Sequence, residues 1–318
     1  MHNLNNCLNK SGRKIKILIL RPEGSLGDAV LSSGYYNSLK QFNKNIEIHV
    51  FCFHSAYEYC KNLKDIDHIY RVRMSKLRKH RGFIIFTLLG LYLRCKCFDL
   101  VIDDNPFKGK NWYWFTSVIG KKKLFRSKKL YSTVYARVEA VLAELGVPYI
   151  RPKIEVSPEA KSTVVKFLKS NKIDKFIVFN CFGSVANKTF TPDTFKKMFK
   201  EIRMKNKDIP VIFPFQPFLK NRISEFKLED KNLFFFSTPT PQEVCALISE
   251  QGNILLVSPD TSFVHIAALL NKNTIAVLKD IDRYPTCNES AVEITADIKN
   301  VNDFDIKFFT QALQRYFI

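Results

Sequence analysis

The stretch "VSPDTSFVHIAALLNKNTIAVL" (Val257–Leu278) decides the fold. It opens on the end of an apolar strand, breaks abruptly into polar residues, runs through a helix and closes on a second apolar strand. Strands that are apolar on both faces and joined by a helix belong to parallel sheets covered on both sides. The break Ser258–Pro259–Asp260–Thr261 places a carboxylate and a hydroxyl where the strand stops, and either Asp260 or Thr261 is suited to cap the helix. His265, four residues after Thr261, falls on the same face one turn on. Ligands of such sheets bind at the carboxyl ends of strands, where helices begin.

The same alternation extends outward in both directions. "KIKILIL" (Lys14–Leu20), "IEIHVFC" (Ile46–Cys52) and "FDLVIDD" (Phe98–Asp104) read as strands. Helices are expected from near Gly27, near Ser55, and over 110–119 and 132–145. After "GVPYIRPKIEVSPEA" the pattern restarts with a helix from Pro158, the strand "KFIVFN" (Lys175–Asn180) and a helix from Pro192. The strands "IPVIFPF", "NLFFFS", "NILLVS" and "NTIAVL" follow. Two such runs meeting at a proline-bearing segment near 147–157 imply an α/β chain of two doubly wound, Rossmann-like domains. The expected division is 1–150, 151–302, and a final helix within 303–318 that packs back on the first domain.

Charge is distributed unevenly. The 318 residues carry 50 Lys+Arg and 30 Asp+Glu, a formal net charge of +20. Residues 1–150 hold 26 basic and 11 acidic residues, so the first half holds most of the excess. Either that half faces a polyanionic partner, or it is a solvated lysine-rich surface. The eight cysteines form no CxxC pair and read as reduced core thiols, and the six histidines show no metal-ligand spacing along the chain. No metal is expected. "MHNLNNCLNK" lacks an apolar signal core. "FIIFTLLGLYL" (Phe83–Leu93) is far short of the ~20 residues of a membrane span. Together with the basic run "RVRMSKLRKHR" before it, it is either an interfacial helix or a buried one. The basic runs are not interleaved with aromatic residues, and no helix-turn-helix or RRM pattern is present, so nucleic acid is the remote alternative.

Two further strand ends carry candidate site residues. In "LRPEGSLGDAVLSS", Gly24 and Gly27 bracket a tight turn and Asp28 opens the helix. The spacing is not that of a dinucleotide fingerprint. Asp28 is either a functional carboxylate or one favoured by the helix dipole. In "NCFGSVANKTFTPDTF", Gly183 and Ser184 form a small turn, Lys188 lies in the loop, and Thr189 or Thr191 caps a helix with Pro192 at its first position. Small residues, a lysine and a helix N-terminus make a phosphate cradle.

These residues carry a resemblance. "ILILRPEGSLGDAVLSSGYYNSLK", "NKTFTPDTF" and "SPDTSFVHIAALLNKNTIAVL" resemble, in order and spacing, the lipopolysaccharide heptosyltransferases of glycosyltransferase family nine, which have the GT-B fold. The resemblance implies an inverting, metal-independent transfer of heptose from ADP-heptose to the lipopolysaccharide or lipooligosaccharide inner core. It implies Asp28 as general base beside Gly27. It implies Lys188, Asp260, Thr261, Ser262, His265 and Ser184 around the donor diphosphate. Gly27 and the basic Arg78, Lys79 and Arg81 would meet a phosphorylated acceptor. No cofactor is expected beyond the donor substrate. The expected location is cytoplasmic, peripheral to the inner membrane of a Gram-negative bacterium. The sequence departs from the family in four places. Ser262 stands for a glycine, Phe190 for a tryptophan and "LKDI" for "FGPT", and "PFQPFLKNR" lacks a ribose-binding glutamate. The departures leave open a GT-B transferase using another nucleotide sugar.

Overall fold

The computed structural model describes residues 13–21, 26–72, 82–103, 110–120, 124–125, 134–279, 288–296 and 299–317. The chain divides into two compact units, Met1–Pro152 and Lys153–Ile318.

The first unit is built on the parallel sheet β3-β2-β1-β4-β5. Its strands are β1 (Ile15–Arg21), β2 (Ile46–Phe53), β3 (His68–Val72), β4 (Leu100–Asp103) and β5 (Leu124–Phe125). β1 is buried nearly end to end, as a central strand with helices on both faces must be. The helices are α1 (Leu26–Phe42), α2 (His54–Cys60), α3 (Gly82–Arg94), α4 (Lys110–Gly120) and α5 (Val134–Glu144). After α5 the chain returns across α1, where the Ile150 amide donates to Ser38 Oγ at 2.8 Å.

"FIIFTLLGLYL" lies in α3, which is buried on one side and exposed on the other. Its Phe86, Leu89 and Leu93 side pack onto the sheet with Trp112, Phe115 and Ile119 of α4, while Phe83, Ile84, Leu88 and Leu91 stand exposed. The two helices cross closely at Gly90. A Cβ there would sit 2.9 Å from Val118 Cγ1, closer than side chains tolerate. β3 and β5 escape a reading by apolar runs because one alternates with polar residues and the other has only two residues.

The second unit repeats the plan with six parallel strands in the order β11-β10-β9-β6-β7-β8. These are β6 (Phe176–Phe179), β7 (Val211–Phe215), β8 (Leu233–Ser237), β9 (Asn253–Pro259), β10 (Thr274–Leu278) and β11 (Ala291–Thr295). Its helices are α6 (Pro158–Ser170), α7 (Pro192–Lys205), α8 (Pro241–Ser249), α9 (Ser262–Leu269) and α10 (Ile306–Gln314). Three of them start with the signature of a hydroxyl cap and a proline at the first turn: Ser157–Pro158, Thr191–Pro192 and Thr240–Pro241. Thr240 completes a capping box with Glu243.

The last helix, α10, buries its apolar side within its own unit. α10 buries Phe309, Ala312 and Leu313 in the core shared by β9, β10 and α7. Thr310 Oγ1 donates to Glu201 on α7 at 2.7 Å, and the Tyr316 hydroxyl bonds the carbonyls of Ser290 (2.8 Å) and Thr274 (3.2 Å). These contacts use the amphipathic stripe of α10.

Gly90→Leu is expected to lower the stability of the protein by about 1–3 kcal/mol through overpacking against Val118. Urea unfolding checks this as a lower midpoint with an unchanged slope.

Candidate functional site

In a doubly wound sheet, ligands bind where neighbouring strands send their connections to opposite faces. In the second unit that point lies between β6 and β9. Asn180 follows β6 and is 1% exposed; Ser258 lies near the end of β9 and is fully buried. One amide ties the two ends together. Asn180 Nδ2 donates to Ser258 Oγ at 3.0 Å and to Thr261 Oγ1 at 3.1 Å, and Asn180 Oδ1 accepts from the Phe182 amide at 3.2 Å. Ser258 Oγ donates to the Pro259 carbonyl at 2.9 Å and lies 3.0 Å from Thr261 Oγ1. Of the two possible caps it is Thr261 that caps α9, its Oγ1 accepting from the Phe263 amide at 3.3 Å. Asn180 and Ser258 were not among the candidates from sequence, although a polar residue at the end of an otherwise apolar strand is the signal that marks them.

With Thr261 capping, Asp260 points elsewhere. Its carboxylate, 7% exposed, pairs with Lys188 Nζ at 2.6 Å. Lys188 ends a short 3-10 helix, Ala186–Lys188, in the loop after β6. That loop closes on glycine. A Cβ at Gly183 would fall 2.1 Å from the Lys188 carbonyl oxygen, a rigid backbone atom. The Gly183 amide donates to Thr189 Oγ1 (3.1 Å), which in turn donates to the Val185 carbonyl (3.1 Å). Thr189 therefore serves the loop, and Thr191 caps α7, its Oγ1 accepting from Thr194 N. Ser184 is exposed at the tip of the loop, Ser262 is half-buried in the first turn of α9, and His265 is buried one turn on. Phe190, which takes the family's tryptophan position, is fully buried and packs edge-on against Phe179. The segment "PFQPFLKNR" enters a 3-10 helix, Pro217–Phe226, after β7, where the Arg222 guanidinium lies 5.4 Å from the Phe182 ring centroid.

The arrangement suits an anion. The β6 loop and the N-terminal turn of α9 meet at one pair of strand ends, and Lys188, paired with Asp260, brings an ammonium beside a helix N-terminus. Asp260 is better placed to hold Lys188 than to touch a phosphate, since two anions in contact repel.

In the first unit the matching switch point lies between β1 and β4. Asp28 is half-buried in the first turn of α1, and its carbonyl accepts from Ser32 Oγ at 2.6 Å. Gly27 beside it is buried. Two charged groups that sequence reading passed over sit at the strand ends: Arg21, 2% exposed, and Asp103, 8% exposed, which accepts from Trp112 Nε1 at 3.0 Å. Arg78, Lys79 and Arg81 lie outside the described residues, as does the turn 22–25.

Sheet register also brings together histidines that are far apart in sequence. His49 on β2 pairs with His68 on β3, and their rings stack at 4.4 Å. With Glu47 they offer three ligand atoms within 4.8 Å of one another. This is the one grouping among the described residues with the composition of a metal site, and spacing along the chain does not reveal it. Both nitrogens of His49 are already engaged, Nε2 with Glu47 Oε1 at 2.8 Å and Nδ1 with the Tyr70 hydroxyl at 2.9 Å. Burial depresses the His49 pKa below 6.5, against the hydrogen bond to Glu47. Burial opposes the Glu47 charge as well, but the hydrogen bond from His49 and the nearby Lys16 and His68 hold its pKa below 4.5.

Both shifts have the same sign for stability. The unfolded chain takes up a proton at His49 before the folded protein does, so stability falls as pH drops below about 6.5. Glu47 contributes stability above its ordinary range that is lost as pH falls through its lowered pKa. Urea midpoints measured across pH 7 to 4 should therefore decline, and His49→Gln should flatten the upper part of that decline. At the β6 loop, Gly183→Ala should push Lys188 out of place and cost about 1–3 kcal/mol of stability, read as a lower urea midpoint.

Comparison with known proteins agrees with this architecture. No family model matches the sequence. A provisionally assigned lipopolysaccharide heptosyltransferase 4 of Escherichia coli (strain K12) is 21% identical over 338 residues, spanning 98% of this chain and 90% of that protein. Among solved structures, a family 9 glycosyl transferase from Veillonella parvula superposes with a TM-score of 0.79 at 14% identity, over 96% of this chain and 98% of that one. The E. coli heptosyltransferase WaaC with ADP gives 0.70 at 13% identity, over 95% and 100%. The chain thus resembles the heptosyltransferases and has the GT-B fold of their solved structures, two all-parallel α/β units.

Proposed function

We propose that the protein is an inverting glycosyltransferase that moves heptose from ADP-heptose to the inner core of lipopolysaccharide or lipooligosaccharide, without a metal. The observation that carries the reading is the Lys188–Asp260 pair held at the β6/β9 switch point beside the Thr261-capped helix. It supplies one fixed cation for a diphosphate. In this reading the second unit binds the donor and the first binds the acceptor.

The chemistry runs as a single displacement. Asp28 takes the proton of the acceptor hydroxyl. The oxygen attacks the anomeric carbon on the face opposite the diphosphate. The new glycosidic bond forms as the old C–O bond breaks, and its electron pair leaves on ADP. Lys188 and the N-terminal amides of α9 stabilise that developing charge electrostatically. The excess of basic residues in 1–150 suits a phosphorylated acceptor, with Arg78, Lys79 and Arg81 as its contacts. An acceptor anchored in the inner leaflet implies a cytoplasmic enzyme peripheral to the inner membrane of a Gram-negative bacterium. No described helix is long and apolar enough to cross a membrane.

One observation favours a second reading, a transferase using a different nucleotide sugar. The stretch "PFQPFLKNR" carries Lys220 and Arg222 where the resemblance expects a ribose-binding glutamate, and the single carboxylate of the 3-10 helix Pro217–Phe226 is Glu225, near its end. Mass-spectrometric transfer assays with ADP-heptose and other nucleotide sugars on truncated core acceptors decide between them.

Asp28→Asn should leave ADP affinity unchanged and lower turnover about 10²-fold or more; near-normal turnover removes Asp28 from the mechanism. Lys188→Ala should weaken ADP binding at least tenfold, the scale of a lost charged contact of about 1.5–3 kcal/mol. Because that change also strands the Asp260 carboxylate, Lys188→Met with Asp260→Asn separates the fold's share from the ligand's share. The double variant should regain stability without regaining affinity.

A further inference from the structure

The outer face of α3 and α4 is apolar where a soluble surface is usually mixed. Phe83, Ile84, Leu88 and Leu91 of α3 stand 47–62% exposed, and Tyr113 and Trp114 of α4 stand 41% and 46% exposed. Seven of the eleven large apolar side chains that are exposed among the described residues belong to these two helices, so the patch is a concentration and not scatter. The two faces form one surface. Trp114 stacks on Phe83 with ring centroids 5.5 Å apart, and its Nε1 donates to Thr87 Oγ1 at 3.0 Å. Beneath, Phe86, Trp112 and Phe115 pack ring against ring, and the Gly90–Val118 crossing locks the helices together. The patch is therefore a rigid platform.

Along the sequence, the charge around these two helices is one-sided. Between His68 and Phe98 the chain has eight Lys+Arg and no Asp or Glu; between Lys110 and Thr133 it has seven and none. These two segments hold 15 of the 26 basic residues of 1–150 and none of its 11 acidic ones. Arg94 at the end of α3 and Lys110 at the start of α4 are exposed, and Lys96 Nζ lies 4.9 Å from the Tyr92 ring. Long cationic side chains beside aromatic rings are what an interface between water and hydrocarbon selects.

We propose that this face is a bilayer-docking surface, lying in the plane of an anionic phospholipid membrane with its apolar side chains below the headgroups. A second copy of the chain fits the patch less well, because it would bring the same unbalanced positive charge. Single-stranded nucleic acid stacks on separate rings along a basic groove, and does not call for Ile84, Leu88 and Leu91 side by side. An anionic bilayer offers both the apolar layer and the negative charge. The inference rests on the peripheral membrane location proposed above and names the surface responsible for it; vesicle binding tests that surface without the donor or acceptor assays.

Co-sedimentation of the full chain with phosphatidylcholine vesicles, with and without about 30% phosphatidylglycerol, tests it. Binding is expected only to the anionic vesicles and should weaken at high salt. The chain has two tryptophans, and Trp112 is buried. Lipid-induced blue shift of the emission should therefore come from Trp114 and vanish in Trp114→Phe. Ile84→Glu with Leu88→Glu, both at exposed positions, should reduce vesicle affinity about tenfold or more. Unchanged circular dichroism and unchanged ADP binding establish that this variant is folded. The proposal is overturned if the wild-type chain ignores anionic vesicles, or if the double variant binds them as well as wild type. It is also overturned if sedimentation velocity shows a dimer that the double substitution dissolves while vesicle binding persists.

Discussion

The second unit turns on one buried amide. Asn180 lies at the mouth of the β6/β9 switch point with almost no access to water, so its donors and its acceptor must find partners within the protein. They find Ser258, Thr261 and the Phe182 amide. Those three contacts set where the β6 loop leaves the sheet and where α9 begins. Asp260 is the residue between the strand end and the cap, so its direction follows. Lys188, held by Asp260 and by the glycine-closed loop, follows in turn. A chain of short polar contacts thus converts the register of two strands into the position of one cation.

Much of this was legible in the sequence, for reasons that differ by residue. β1, β9 and β10 are buried on both faces, and a run such as "ILILR" or "TIAVL" has few other fates. The start of α7 was equally plain as a proline after two threonines, but choosing the cap required the loop. Thr189 and Thr191 have the same chemistry, and only the Gly183 amide 3.1 Å from Thr189 Oγ1 shows that Thr189 is already committed. Asp260 and Thr261 were ambiguous in the same way, and the contest was decided by Asn180, 81 residues before Thr261. His49, His68 and Glu47 illustrate what linear spacing hides. His68 joins Glu47 and His49 only through the β2–β3 register, and β3 has no apolar run to announce it. α10 shows the reverse: an unmistakable amphipathic helix whose partner surface the sequence does not name.

The two units use charge at different ranges. In the second, a single lysine acts over less than 3 Å within a partly dry crevice, where a charge interaction is strong and insensitive to salt. In the first, the positive excess is spread over long basic runs with no acidic residues among them, which makes a broad field that salt screens over about 10 Å. The first arrangement suits recognition of one small group, and the second suits attraction toward an extended anionic surface.

The Lys188–Asp260 pair also makes the crevice choosy before any ligand arrives. A lysine already neutralised by a carboxylate at 2.6 Å presents little net charge to passing solutes. A singly charged anion gains too little from it to displace the internal partner, whereas a group with two adjoining charges can share the ammonium with Asp260 while its second charge meets the helix N-terminus. Against a monovalent ion such as chloride the internal salt bridge sets a threshold, since the lysine leaves Asp260 only for a ligand of greater charge density.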